Sequence, residues 1–233
     1  MIAAGRKAGK RLMINFSYRF REEVWWLKDQ VDSGILGQVY FARTVWHRRR
    51  GLAGFGGWFG QKKLSGGGPL IDLGVHRLDL ALWLMGHPRP VWVMGSAYDH
   101  IASELARRQG KSYDCEDLAV GLIKFDNGAT IELEASWAAN IAERELMETR
   151  LLGTQGGLVQ RNTAEGYQFE SEMFFERNGM QFDMKPHAPL PAVPNAYHHF
   201  IDCIINDTPH MATGEEGLLV MQILDGIYRS AAT

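Results

Sequence analysis

The chain has 233 residues, 45% of them hydrophobic and 22% charged, with a formal net charge of -2. These values fit a globular protein able to bury a large core, and they exclude extended disorder. They also exclude a dedicated nucleic-acid binder, because phosphate affinity comes from counterion release by a concentrated basic face.

One basic run, His47-Arg48-Arg49-Arg50, reads as a solvated loop, with an anion contact as the sharper alternative. The two cysteines, Cys115 and Cys203, stand in unrelated contexts, which suits a reduced, cytoplasmic setting. The N-terminal residues have no signal-peptide core, and no segment reads as a membrane span, so no membrane partner is expected.

In chain order, "MIAAGRKAGK" resembles the tail of a helix stopping at a glycine, and Lys10 to Phe20 reads as a buried strand around Leu12, Met13, Ile14 and Phe16. A helix that opens without a preceding strand suggests a beginning in the middle of a fold. Arg21 to Ser33 has helical spacing and Gly34 as its stop. A strand over Gly37 to Arg48 leads into a long loop, Gly51 to Gly68, whose Trp58, Phe59, Lys62 and Lys63 favour a functional role.

After the next helix, which ends near Met85, the pattern turns to strands: Val91 to Tyr98, Asp117 to Phe125, Ala129 to Trp137, Glu145 to Leu152, Gly157 to Gln160 and Gly166 to Phe169. Asn127-Gly128 is a hairpin signal, and tight turns between consecutive strands imply antiparallel pairing. "KPHAPLPAVPN" reads as an extended crossing to two last helices, Asn195 to Asn206 and Gly214 to Ser230. The fold class expected is α+β, an open, mainly antiparallel sheet with helices on one face.

The stretch "SGGGPLIDLGVHRLDLALWLMG", Ser65 to Gly86, combines a glycine bend with a helix that is apolar nearly all round. Pro69 suits its first turn, and Gly66 to Gly68 let a backbone approach a ligand. Asp72, His76, Asp79 and Trp83 fall on one face. Buried polar groups need partners or a wet cavity, so Asp72 and His76 read as pocket residues. Asp79, farther from the glycines, reads as structural, paired with Arg77 or a tryptophan indole. A histidine beside a carboxylate is suited to moving a hydroxyl proton at neutral pH. The spacing supplies no third ligand, so no metal is expected.

The segment "GGGPLIDLGVHRLDLALWLMG" resembles the GGGxxxDxGxHxxD stretch of the Gfo/Idh/MocA oxidoreductases. "GKRLMINFSYRF", "DSGILGQVYFARTVWHRR", "EDLAVGLIKFDNGATIELEASW", "LLGTQGGL" and "ATGEEGLLVMQILDGIYRSA" agree in the family's order. The resemblance implies a Rossmann domain for NAD or NADP followed by an open-sheet domain, and hydride transfer between a sugar or polyol carbon and the nicotinamide. It implies His76 as the proton-transferring residue and Asp72 as the substrate-orienting carboxylate.

By the same resemblance Trp58 lies near the cofactor, and Arg19 and Tyr18 match the family's "RF" junction, where a substrate contact and a structural hinge contact stand as alternatives. Trp58 and Lys62, in the loop, are also expected to bind substrate, and Gly67 and Gly68, in the bend, to approach the cofactor. The family's G-x-G-x-x-G fingerprint has no counterpart here; "GFGGWFG", Gly54 to Gly60, has the glycines but not the strand-turn-helix setting. The expected division is therefore residues 1–18 as the end of a nucleotide-binding domain and 19–233 as a substrate and oligomerisation domain, inactive alone. A homodimer or homotetramer through the sheet face is the expected partner arrangement. A non-catalytic binding or assembly module, and a hydrolase or lyase using the same pair, remain as alternatives.

Overall fold

The computed structural model describes residues 1–52 and 55–233. Residues 53 and 54, within the loop expected at Gly51 to Gly68 and in part of "GFGGWFG", lie outside that description. The framework is a sheet of eight strands: β1 Val39–Arg48, β2 Pro90–Tyr98, β3 Leu118–Phe125, β4 Thr130–Ser136, β5 Glu145–Gly153, β6 Gly156–Thr163, β7 Gln168–Arg177 and β8 Met180–Met184. Their order is β2-β3-β4-β1-β5-β6-β7-β8, antiparallel throughout except where β1 lies parallel to β4. A parallel pair needs a long crossover, which the chain between β1 and β4 supplies. The expected α+β architecture is the one observed, with helices running from α1 (Ile2–Lys7) at the start of the chain to α6 (Ala196–Ile205) and α7 (Gly214–Ala231) at its end.

Strand alternation decides which face is covered. Along β3 and β4, Ala119, Ile123, Phe125, Ile131, Leu133 and Ala135 are fully buried, while Val120, Leu122, Glu132 and Glu134 between them stay partly exposed. The buried side lies under α4 (Val75–Leu84) and α7 (Gly214–Ala231). At Gly95 a side chain would come within 2.6 Å of Ile227, so the missing Cβ sets how closely α7 approaches. α2 (Glu22–Asp32) covers the β6–β7 side. The opposite face presents charged cross-strand rows, with Arg43 on Glu134 and Arg161 on Glu170. At its β2 edge Trp92, Met94 and Tyr98 stand exposed. Among the described residues no helix is long and apolar enough to cross a membrane.

Four local results depart from the expectations. The segment Lys10 to Phe20 is not a sheet strand: it makes one bridge, Met13 to Thr213, and ends in a 3₁₀ turn over Ser17–Phe20. Its apolar side chains pack on α7 instead, Leu12 against Gly214 and Ile14 against Gly217. A helix not anticipated, α5 (His100–Arg108), follows β2, and the Asp117 carboxylate accepts from the Ile101 and Ala102 N–H groups at 2.7 Å each. The strand expected at Gly166 to Phe169 runs on to Arg177 and returns as β8 through Asn178-Gly179, both at positive φ. The helix after the glycine bend opens with a π-turn, Leu70–Gly74, before becoming α4.

Candidate active site

The glycine bend owes its composition to the chain's own packing. Gly66, at φ 86°, ends the short helix α3 (Lys62–Ser65) in the left-handed region. A Cβ on Gly67 would collide with the Tyr228 hydroxyl, and one on Gly68 with the Glu116 carbonyl. Glu116 Oε1 accepts from Gly68 N at 2.9 Å, Leu70 N at 3.2 Å and the Tyr228 hydroxyl at 2.7 Å. A carboxylate at a helix start satisfies orphan N–H groups and complements the dipole. The space in which a Cβ of Gly67 or Gly68 would stand is thus taken by Tyr228 and Glu116, so the chain's own packing already requires glycine at both positions.

From this anchored start the helix settles on β4, with Gly74 packed toward Ala135 and Leu133. The π-turn, a widening that recurs at functional sites, holds Asp72 in the same neighbourhood. Asp72 Oδ2 accepts from the buried Trp137 indole N–H at 2.9 Å. Phe59 packs on Trp137 with centroids 5.7 Å apart, and Trp58 stands edge-on to Phe59 at 4.4 Å, so the loop before the glycines reaches the Asp72 side. Trp58 itself is 57% exposed.

His76 lies between Tyr18 and Trp46, with ring centroids 6.0 and 6.1 Å away. Burial, above all, pulls its imidazole below the ordinary histidine value; Asp72 pushes it up and Arg77 pushes it down. Burial thus favours the neutral imidazole. Its Nδ1 is buried without a partner among the described residues. Asp72 Oδ1 and His76 Nε2 are neither hydrogen-bonded within the described residues nor sealed from solvent. Two unengaged atoms from residues about one helical turn apart, a carboxylate oxygen and an imidazole nitrogen, can bind and deprotonate a hydroxyl.

Of the other expected site residues, Tyr18 stays beside His76, while Arg19 and Lys62 fall elsewhere. Arg19 is wholly buried in an ion cluster: Nε and Nη2 donate to Asp79 at 3.0 and 2.6 Å, and Nη1 to Glu216 at 3.1 Å. It has no face for a substrate, and Asp79 finds its partner in Arg19 rather than in Arg77 or an indole. Tyr18 is a wall of His76, with its hydroxyl on Met147 Sδ at 3.4 Å. Lys62 lines a separate cleft of about 210 Å³ with Asp99, Asp114, Cys115, Glu116 and Tyr228, which contains neither Asp72 nor His76. Its ammonium stands 5.4 Å from the Tyr228 ring centre. Trp137, Trp46 and Glu116 escape sequence reasoning, since each meets the site only through tertiary packing.

Among the described residues no three His, Cys, Asp or Glu side chains gather as a metal site. The helix start at Leu70, the place the glycines would offer a phosphate, is filled by the Glu116 carboxylate, so it does not fit the pyrophosphate of a dinucleotide.

Comparison with known proteins places these features in context. Residues 24–159 match the model of the GFO/IDH/MocA C-terminal domain. The chain is 31% identical over 240 residues to D-glucoside 3-dehydrogenase of Escherichia coli (strain K12), an alignment covering all of this chain and 66% of that protein. It superposes on aldose-aldose oxidoreductase from Caulobacter crescentus, solved with glycerol, with a TM-score of 0.77, 27% identity, and coverage of 99% of this chain and 64% of that one. Levoglucosan dehydrogenase in complex with NADH and levoglucosan shares the fold, with a TM-score of 0.80 at 22% identity, covering 99% of this chain and 66% of that one. The chain thus spans slightly less than two thirds of the length of each.

Proposed function

The chain belongs to the GFO/IDH/MocA family, and from that premise we propose that it is the substrate-side part of an NAD- or NADP-dependent oxidoreductase acting on a hydroxyl of a sugar or polyol. The observation that supports this most directly is the free pair Asp72 Oδ1 and His76 Nε2, with Asp72 fixed by Trp137. In this reading Asp72 accepts a hydrogen bond from the substrate hydroxyl and orients it. Neutral His76 takes the hydroxyl proton in oxidation and returns it in reduction. Exposed Trp58 offers an aromatic face at the mouth of the site, suited to the C–H face of a sugar ring.

The sugar class comes from the relatives, one acting on D-glucosides and one solved with levoglucosan. The nicotinamide is the hydride carrier of the proposed reaction, and its binding site is assigned outside these residues, because the glycine bend is occupied by Glu116 and Tyr228. Residues 1–18 then end the dinucleotide domain and 19–233 form the substrate domain. The chain by itself is expected to bind sugar without turnover. A second copy is proposed to cover the open sheet face, where Trp92, Met94 and Tyr98 are exposed beside charged rows; light scattering tests this, and a monomer at all concentrations overturns it.

The site is tested by saturation-transfer NMR of a methyl glucoside with the 233-residue chain. Binding is expected to weaken in Asp72→Ala and His76→Ala. Equal binding by a folded double variant would assign the sugar site elsewhere.

A further inference from the structure

Arg77 is the side chain that the proposed chemistry leaves without a task. It is fully buried, yet no carboxylate pairs with it among the described residues. Nη1 donates to Gln160 Oε1 at 2.7 Å and to Thr149 Oγ1 at 3.4 Å, while Nε and Nη2 have no partner. A buried charge without a counter-ion is among the costliest groups a core can hold. The fold neutralises its other fully buried arginine, Arg19, with Asp79 and Glu216. At Arg77 the nearest acceptor is the neutral amide of Gln160, where a glutamate of the same length would complete an ion pair.

What surrounds Arg77 instead is aromatic. Its Cζ stands 4.5 Å from the Tyr18 ring centre, 5.3 Å from Phe169 and 5.7 Å from Trp46. These rings attract the cation without cancelling its charge. Tyr18 and Trp46 are also the rings beside His76, so guanidinium and imidazole share two walls. We propose that Arg77 is retained as an uncompensated cation to keep the His76 imidazole neutral and proton-accepting, which makes it a positioning residue for the acid-base pair. This rests on the assignment of proton transfer to His76.

The groups around the imidazole act in opposite senses. Asp72, on the same helix, favours the protonated ring, whereas Arg77 opposes it. Tyr18 contributes a hydroxyl turned to Met147, and Trp46 from β1 is uncharged. Around Arg77 itself, Tyr18 is the largest influence after burial and favours its charged form, Arg21 then opposes that form, and Glu23 favours it. Burial above all draws Arg77 down to about 10, so it is charged throughout the range in which His76 titrates. With the Arg77 charge removed or paired, Asp72 is left as the dominant neighbour of His76.

The test follows the His76 Cε1 proton by NMR against pH in the 233-residue chain, with His76→Gln to identify the signal. Arg77→Lys keeps the charge and should hold the midpoint within about 0.3 unit of wild type. Arg77→Met removes the charge, and Gln160→Glu pairs it in place; each should raise the midpoint by about half a unit or more. Both are also expected to leave the melting temperature equal to or above that of wild type, which a merely structural arginine would not allow. A midpoint unmoved in Gln160→Glu overturns the proposal, and this variant decides the matter if Arg77→Met does not fold. The titration needs no turnover, so an unmoved midpoint removes only the role of Arg77. Sugar binding indifferent to Asp72 and His76 would instead remove the site assignment.

Discussion

Replacing Glu116 by alanine tests whether the glycine bend is held from within. One carboxylate oxygen accepts from three donors, Gly68 N, Leu70 N and the Tyr228 hydroxyl, at 2.9, 3.2 and 2.7 Å. Each buried donor left without an acceptor costs about 1–3 kcal/mol. The cleft beside Glu116 lets water reach the vacated space, so the lower end applies, for a total of about 3 kcal/mol. For a chain of this size each kcal/mol lowers the melting temperature by about 2–4 °C, giving a fall of about 6–12 °C.

Glu116→Gln keeps an oxygen acceptor and loses only the charge at the helix start, which should cost about 1 kcal/mol. Tyr228→Phe removes one of the donors and should cost about 1 kcal/mol as well. Differential scanning calorimetry of the three variants gives the ranking. Glu116→Ala within about 0.5 kcal/mol of wild type, or Glu116→Gln as damaging as Glu116→Ala, would refute the capping argument.

Other outcomes follow from the same geometry. Trp137→Phe keeps the ring and removes the donor to Asp72, a hydrogen bond to a charged group worth about 1.5–3 kcal/mol, so glucoside affinity measured by NMR should fall roughly tenfold or more; unchanged affinity would show that Asp72 needs no such support. Asp79→Asn leaves Arg19 buried with only Glu216 as a charged partner, and urea denaturation should show a loss of about 3 kcal/mol, the lower end for a broken buried pair. His87 accepts from Arg19 Nη2 at 3.1 Å, and burial first, then Arg19, draws it down to about 4. Because its folded value is depressed, its contribution is complete above about pH 6.5 and is lost as pH falls toward 4, about 2–3 kcal/mol after discounting its partial exposure. His87→Asn, which tolerates the positive φ of 54° at that position, should flatten stability over that window; an equal acid slope would exclude His87 as its source.

The parts of the fold legible in the sequence were those written in local periodicity. The alternation along β3 and β4 and the Asn127-Gly128 turn place that hairpin, and the spacing of Asp72 and His76 puts them on one helix. α5 does carry an apolar stripe, Ile101, Ala102, Leu105 and Ala106, but it is only nine residues long and lies between two strands, so a run of helical spacing that short is easily passed over as a connection. β8 lies at the sheet edge and is largely exposed, so its residues lack the alternation of a half-buried strand, although Asn178-Gly179 marks its turn. Lys10 to Phe20 shows the opposite error: a buried apolar run looks like a central strand whether it meets a neighbouring strand or a helix, and here it meets α7. At the site, Glu116 lies 46 and 48 residues from the N–H groups it caps, and Trp137 lies 65 residues from Asp72. No local pattern encodes such pairings.

The parallel contact between β1 and β4 divides the sheet into two antiparallel blocks that meet along one seam. Trp46, beside His76, belongs to one block, and Trp137, which follows β4 and grips Asp72, belongs to the other. The two halves of the acid-base pair are therefore braced from opposite banks. A slip by one ladder step would reverse which side of the sheet Trp46 faces relative to its partner, drawing the carboxylate and the imidazole out of alignment together. The joint between the blocks is thus also the gauge that sets their alignment, and substitutions along it, far from any sugar, should be felt first there.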